Sequence, residues 1–377
     1  MNTKVELKGS KELEEEVVKQ GLCIFCGACI GMCPYNVAYR GRRVVLEECP
    51  RDEGRCYAFC PRTHTDMDAV SQKIFGVPFG EGEIGVVKEA FLAKATDPEI
   101  HEKGQDGGVV TALLSVAISE GIIDAAVETK MSEDKRPVGF LARNREELLQ
   151  CAGVSYEPSP VLEALNRIPN ESDEKLGIVG LPCHVAALAK MRAYPFQDYS
   201  PLRKNSIGNV KLVLGLFCGW SLANGFYEFM EETFDLSQVT KFDIPHHPGH
   251  TFDAYTRTGK QSVEIEEIRQ FINSACGYCW DMTSEFADIS AGSGRAKFRG
   301  WNTVLVRSER GAELVDIARK KGVIETQPLP EESLINLKKA ALNKKKRAVN
   351  SIIAKTGVKE NLLYLGLSKE MINKLLD

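Results

Sequence analysis

Residues 23–34 read CIFCGACIGMCP, four cysteines at the intervals C-x2-C-x2-C-x3-C with a proline after the last. Tight turns at this spacing bring three thiolates to three corners of a [4Fe–4S] cube, and the fourth, ahead of proline, is directed to the other cluster of a two-cluster ferredoxin. Gly27 leaves room for backbone N–H groups to wrap the inorganic sulfides. A structural zinc site needs only two cysteine pairs, and neither this interval nor Pro34. A second run, CPRDEGRCYAFCP at 49–61, looks like the complementary half with something missing. Counting back from Cys60, Cys56 is in its slot, Glu53 and Pro50 occupy the other two, and Cys49 stands one residue out of place. By two-cluster logic Cys23, Cys26 and Cys29 take Cys60 as fourth ligand, while Cys33, Cys56 and Cys49 hold the second cluster. The remaining corner is open to Glu53, a hard oxygen donor acceptable to iron, or to Cys151, and a [3Fe–4S] cluster would need neither.

Four further cysteines could make another site. Cys183 in GIVGLPCHVAALAKM and Cys218 in KLVLGLFCGWSL each follow an apolar run and precede a helical pattern. That is the carboxyl end of a strand, where α/β folds place their sites. Cys276 and Cys279 form CGYC, so two strand-end thiolates and one pair suffice for a third [4Fe–4S] cluster. Core packing of small apolar thiols is the alternative. A redox disulfide is a weaker rival, because CGYC lacks a preceding βαβ pattern.

Two glycine-rich stretches could hold a cofactor. In QDGGVVTALLSVAISEG (105–121) paired glycines open an apolar helix, whose first N–H groups can bind phosphate or the carbonyl edge of a flavin; a close-packed helix start reads equally well. In ADISAGSGRAKFRGW (287–301) a Gly/Ser loop follows a strand-like run, with Arg295, Lys297 and Arg299 nearby, which suits a pyrophosphate. The full G-x-G-x-x-G fingerprint is missing, so no Rossmann NAD site is expected. HHPGH (246–250) reads as a surface loop.

The elements that must position these groups follow from texture. At roughly 150 residues per domain, 377 residues suggest two or three domains. A composition 43% hydrophobic and 27% charged is that of a globular protein, and a net charge of −4 argues against nucleic acid as the main partner. The N-terminus has no apolar signal core. The most apolar stretch, VKLVLGLFCGWSLA, is too short to span a membrane and contains Lys211, so no membrane span and a cytoplasmic location are expected. Twelve cysteines then point to metal–sulfur ligation rather than disulfides, and seven of them lie in the first sixty residues. Residues 1–20 should form a helix ending at Gly21, and 21–65 a cysteine-dense module too small to bury a core without metal, the two falling in a ferredoxin-like unit over 1–74. A linker covers 75–85. From 86 to 330, strand–turn–helix recurs, which predicts an α/β (α+β) body with a mixed or parallel sheet. The tail, 331–377, is basic and helix-prone. It reads as a solvated helix face, or as a docking surface for an acidic partner.

Together these stretches resemble the β-subunit family of coenzyme F420-reducing hydrogenases and dehydrogenases. The likeness rests on KATDPEIHEKGQDGGVVTALL, GLPCHVAAL, LFCGW, CGYCWDMTSEFADISAGSG and GWNTVLVRSERGAELV, in that order between about 86 and 325. CIFCGACIGMCPYNVA followed by CYAFCPRT looks like the ferredoxin extension of longer members. The resemblance implies a flavoprotein body that binds FAD and at least one [4Fe–4S] cluster, and that passes electrons between a deazaflavin and an iron–sulfur chain serving a partner redox subunit. Carried over by position, Cys183, Cys218, Cys276 and Cys279 are the body-cluster candidates. Gly107, Gly108, Val109 and Thr111, with Gly292, Ser293, Gly294 and Arg295, are the FAD contacts. No catalytic dyad is expected, because hydride transfer depends on positioning two ring faces. A pocket lined by basic residues would suit the acidic coenzyme tail. An electron-transfer adaptor, or a reductase of another organic substrate, are the competing readings.

Overall fold

The computed structural model describes residues 7–80, 82–169, 171–194, 206–223, 225–245, 249–359 and 362–376. His246, His247 and Pro248 of the HHPGH stretch lie outside them.

The body is built on one eight-stranded sheet: β1 (Glu89–Ala95), β2 (Ala125–Met131), β3 (Pro137–Ala142), β4 (Leu176–Gly180), β5 (Val210–Leu216), β6 (Ile289–Ser293), β7 (Asn302–Val306) and β8 (Ile324–Pro328), in the order β8-β1-β7-β6-β5-β4-β2-β3. The four central strands, β6-β5-β4-β2, run parallel, and the strands outside them pair antiparallel. This mixed topology follows from the sequence. LGIVG and VKLVLGL are near-continuous apolar runs, which suits strands covered by helices on both faces. A three-stranded antiparallel sheet formed by Val239–Asp243, Thr251–Thr256 and Gly259–Glu264 stands apart, around an aromatic cluster of Phe226, Phe252 and Tyr156.

The N-terminal helix is shorter than expected. Among the described residues it begins at Ser10, where the Glu12 carboxylate accepts the Gly9 N–H at 3.0 Å, and it runs into a π-turn over Glu14–Val18. The stretch 75–85 is no loose linker. Phe79 packs on Trp280 and Phe286, and the carbonyls of Ile84 and Val86 accept from the buried guanidinium of Arg307 at 2.7 and 2.8 Å.

The tail is where the expectation of a solvated face fails. Its long helix, Glu331–Thr356, buries Lys344 and Lys345 as well as Ala341, Ala348, Val349 and Ile352. Beyond it, Leu365–Gly366 pairs in parallel with Thr65–Asp66, which joins the end of the chain to the cysteine-rich module. One apolar core therefore holds Ile24, Ala28 and Phe59 from the N-terminal region, Val161, Leu162 and Leu188 from the body, and Val349, Ile352 and Tyr364 from the tail. Among the described residues, no helix is long and apolar enough to cross a membrane.

Lys345 and Glu285 form an ion pair at 2.7 Å with both side chains almost wholly enclosed. Burial pushes the Glu285 carboxyl up to about 7. Lys345→Met should destabilise the fold by about 3–5 kcal/mol in a denaturant titration at pH 8, because an uncompensated carboxylate stays buried. The loss should be smaller at pH 5.5, where Glu285 takes up a proton.

Candidate functional site

The strand-end cysteines are set by the sheet. β4 stops at Gly180, Leu181 turns the chain, and a helix starts at Pro182 with Cys183 in its first turn. His184 fixes this turn: its Nδ1 accepts the Leu181 N–H at 3.0 Å, so the proton is on Nε2, which donates to the Ser159 carbonyl at 3.0 Å. Burial drives its pKa down to about 4, leaving a neutral ring. Cys218 follows the end of β5, its N–H bonded to the Met282 carbonyl at 2.9 Å. Cys276 lies on a short 3-10 turn, Ser274–Tyr278, capped by the Asn273 side chain, and Cys279 ends it. All four line one small pocket, together with Arg62 and Lys344.

Burial and mutual repulsion push the Cys183 thiol well up and the Cys218 thiol up to about 12. Burial acts the same way on Cys279, yet Lys344 and Arg62 together hold it below its ordinary value. Among the described residues, no group of three His, Cys, Asp or Glu converges on a single point as one metal ion requires. Sulfurs that surround a cavity suit a multi-iron cluster.

The N-terminal cysteines fall into two groups. Cys23, Cys26, Cys29 and Cys60 line a second pocket with Arg43 and Arg62. Cys56, pushed up to about 11 by burial, senses the charges of Cys33 and Cys49. Gly27, at φ +84°, presses so closely on the body that a Cβ would come within 2.5 Å of the Pro160 carbonyl. The Asn166 amide reaches the carbonyls of Gly27, Ala28 and Ile30 and pins the cluster loop. Glu53 is exposed beside the Gly54 cap of a one-turn helix. Cys151 is not with Cys33, Cys49 and Cys56: it ends the helix Arg145–Cys151 and lines a different cavity, close to Glu128.

That cavity, of about 240 Å³, opens at the carboxyl ends of β4 and β5. Gly108, Val109 and Thr111 line it at the start of the helix Val109–Ser119. Gly108 adopts φ +70° against the Ile100 carbonyl, where a Cβ would sit at 2.6 Å. Gly107 lies just outside the lining, and Gly292, Ser293, Gly294 and Arg295 are not in it; Phe217 stands between, since a Cβ on Gly292 would overlap its ring. Asn302 joins the two loops. Its Oδ1 accepts the Val109 N–H at 3.2 Å, and its Nδ2 donates to the Gly292 carbonyl at 3.2 Å.

Among the described residues, Gln105 Oε1, Glu128 Oε1 and Ser159 Oγ of the lining are buried without a hydrogen-bond partner. Burial raises both Glu128 and Glu157 to about 8. The described lining residues include Asp106, Glu128 and Glu157 but no lysine or arginine, against the expectation of a basic pocket. Arg295, Lys297 and Arg299 are exposed, and Lys297 pairs with Glu332 at 2.9 Å.

Sequence reading missed Glu128, Glu157, Asn302, Arg62, Asn166 and Lys344. Only Glu128 carried a signal, as an acid at a buried position of the strand AAVETKM.

An α/β body with a fused cysteine-rich module and a second cysteine pocket at its strand ends defines an iron–sulfur oxidoreductase. Residues 16–39 match the 4Fe-4S binding domain; residues 90–166 and 173–332 match the N-terminal and C-terminal parts of the coenzyme F420 hydrogenase/dehydrogenase beta subunit. The coenzyme F420 hydrogenase subunit beta of Methanothermobacter thermautotrophicus is 32% identical over 72% of this chain and 96% of its own length. The chain thus belongs to the coenzyme F420 hydrogenase/dehydrogenase beta-subunit family, with a 4Fe–4S domain at its N-terminus. A coenzyme F420-dependent sulfite reductase from Methanocaldococcus jannaschii is 29% identical over 89% of the chain, which spans only 52% of that relative. Among solved structures, a chain of the F420-reducing [NiFe] hydrogenase complex from Methanosarcina barkeri superposes with a TM-score of 0.65 at 28% identity, over 73% of this chain and 94% of that one.

The raised acids give a pH signature. With folded pKa values near 8 against an ordinary 4.5, Glu128 and Glu157 bind protons in the folded state that the unfolded state has already released. Stability should fall as pH rises from about 4.5 to 8 and level off above, by at most about 1.4 kcal/mol per pH unit per group. Glu128→Gln should flatten that slope in denaturant titrations between pH 5 and 8.

Proposed function

We propose that this chain is an iron–sulfur flavoprotein subunit that exchanges a hydride between coenzyme F420 and FAD and passes single electrons through [4Fe–4S] clusters to or from a partner enzyme. The observation that carries the reading is a shared wall: Leu181 and His184 line both the large cavity and the four-cysteine pocket. FAD, when bound, supplies the exchange between two-electron and one-electron chemistry. The residues of the cavity fit it, since the unpartnered oxygens of Gln105, Glu128 and Ser159 offer partners to a heterocycle edge that carries both donors and acceptors. Glu128 and Glu157, raised to about 8 by burial, would donate to carbonyl oxygens of such a group. Gly107, Gly108, Val109 and Thr111 would hold the ring system, and Gly292, Ser293, Gly294 and Arg295 the phosphates beyond Phe217. His184, neutral and locked, separates the two sites without offering a proton.

Cys183, Cys218, Cys276 and Cys279 would hold the body cluster, and Cys23, Cys26, Cys29 and Cys60 the next. Cys26 senses the charge of Cys183, and Arg62 lines both pockets, which supports a series arrangement. Cys33, Cys49 and Cys56 would end the wire toward the partner subunit.

Anaerobic stopped-flow mixing with reduced F420 tests this. Flavin bleaching should precede cluster reduction. Cys183→Ala should keep the first phase, lose the second and contain about four irons fewer per chain. Failure of reduced F420 to bleach the flavin overturns the F420 assignment. The absence of lysine and arginine among the described lining residues favours a second reading, an electron-transfer adaptor or a reductase of another organic substrate without F420. NADH and reduced ferredoxin in the same apparatus separate the two.

Cys151 lines the large cavity, which leaves Glu53, or no protein ligand at all as in a [3Fe–4S] cluster, for the fourth corner beside Cys33, Cys49 and Cys56. Glu53→Cys should give a conventional all-cysteine [4Fe–4S] EPR signal there. A wild-type protein that already shows only all-cysteine signals contradicts the role of Glu53.

A further inference from the structure

The C-terminal segment brings a charge to the body-cluster pocket that the matched family regions, ending at 332, do not include. Lys344 is 5% exposed, lines the four-cysteine pocket, and donates from Nζ to the Cys218 carbonyl at 2.7 Å. It senses Cys279, Cys218 and Cys276 at once. Arg62, also 5% exposed, enters from the opposite end of the chain. It donates to the carbonyls of Tyr278 and Ala275, on the turn that carries the cysteine pair, at 3.1 and 3.2 Å, and its guanidinium lies 4.6 Å from the centre of the Tyr364 ring. The one nearby anion, among the described groups that Lys344 senses besides the thiols, is Asp281. Its carboxylate accepts the backbone N–H groups of Thr283 and Glu285, both at 2.8 Å. Two buried cations thus face one anion and four thiols.

We propose that Lys344, with Arg62, sets the reduction potential of the cluster held by Cys183, Cys218, Cys276 and Cys279, raising it above that of the same four-thiolate cluster without a buried cation. The inference rests on reading those cysteines as cluster ligands. Reduction adds one electron and no proton, taking the four-thiolate complex from charge −2 to −3. A fixed positive charge in a low-dielectric surrounding stabilises the more negative state more than the less negative one. Net charge and hydrogen bonding around the sulfurs are the levers by which a protein tunes such a cluster. Lys344 acts here through the pocket and is a positioning residue, touching a ligand's carbonyl rather than iron. The electron acceptor next in line then lies beside Arg62, which both pockets share.

The test is an EPR-monitored redox titration of the full-length, cluster-loaded protein, with iron and sulfide counted in each variant. Lys344→Gln keeps a hydrogen-bond donor and removes the charge, Lys344→Met removes both, and Lys344→Arg keeps the charge. At the poise that half-reduces the wild-type body cluster, Lys344→Gln and Lys344→Met should show a reduced-to-oxidised ratio lower by on the order of tenfold. Lys344→Arg should match wild type, and the cluster of Cys33, Cys49 and Cys56 should titrate unchanged in all three. Full iron content with an unshifted body cluster in Lys344→Gln overturns the proposal. So does an equal shift in Lys344→Arg, which would assign the effect to packing. A Cys183→Ala protein with wild-type iron content is a different result: it removes the cluster itself, and the proposal with it.

Discussion

Thiolates gathered in a buried pocket repel one another, and unless they take up protons that repulsion must be offset by fixed cations or bound iron. Much of this molecule is arranged around that constraint. Arg43 is anchored by Asn36, Glu14 and Ser10 beside the N-terminal cysteines. Arg62 and Lys344 are buried between chain segments that are otherwise far apart in sequence. Lys190, fully enclosed, donates to the carbonyls of Cys60, Thr63 and His64. Each of these cations reaches backbone carbonyls or neutralising side chains, so the desolvation cost of burying it is offset by hydrogen bonds as well as by the thiols.

The same constraint accounts for the packing between segments. A cysteine-rich module of this size has little apolar surface of its own. It leans on the helix Val161–Asn166 and is covered by the C-terminal segment, so the apolar core runs through regions that composition alone separates. The large cavity lies on the other side of a single turn, Leu181–His184. That turn is stiff for a local reason: the imidazole replaces a missing cap at the helix start.

How much of this was legible in the sequence depends on the range of the interaction. Cysteine intervals are local and marked out Cys23, Cys26, Cys29 and Cys33; that Cys60 lines a pocket with the first three, and that Cys183, Cys218, Cys276 and Cys279 line another, depends on the folded chain. The mixed sheet was readable from apolar runs followed by helical patterns. Cys151 was not placed by spacing, because a helix carries it to the cavity edge. The tail misled because its lysines look like a solvated face, and nothing local tells which two of them turn inward. Glu157, Asn302 and Asn166 gave no signal either: each is a polar residue whose partner lies more than a hundred positions away, or in a cavity that forms only when the sheet is complete.

The pairing of Leu365–Gly366 with Thr65–Asp66 has a consequence for biosynthesis. The N-terminal cysteines leave the ribosome almost a full chain length before the strand that closes over their neighbourhood. During that interval the nascent module lacks Tyr364 over Arg62 and Lys344 behind Cys218. The neighbourhood of the N-terminal cysteines is therefore open while the chain is being made, and the segment around Leu365 decides when it is covered.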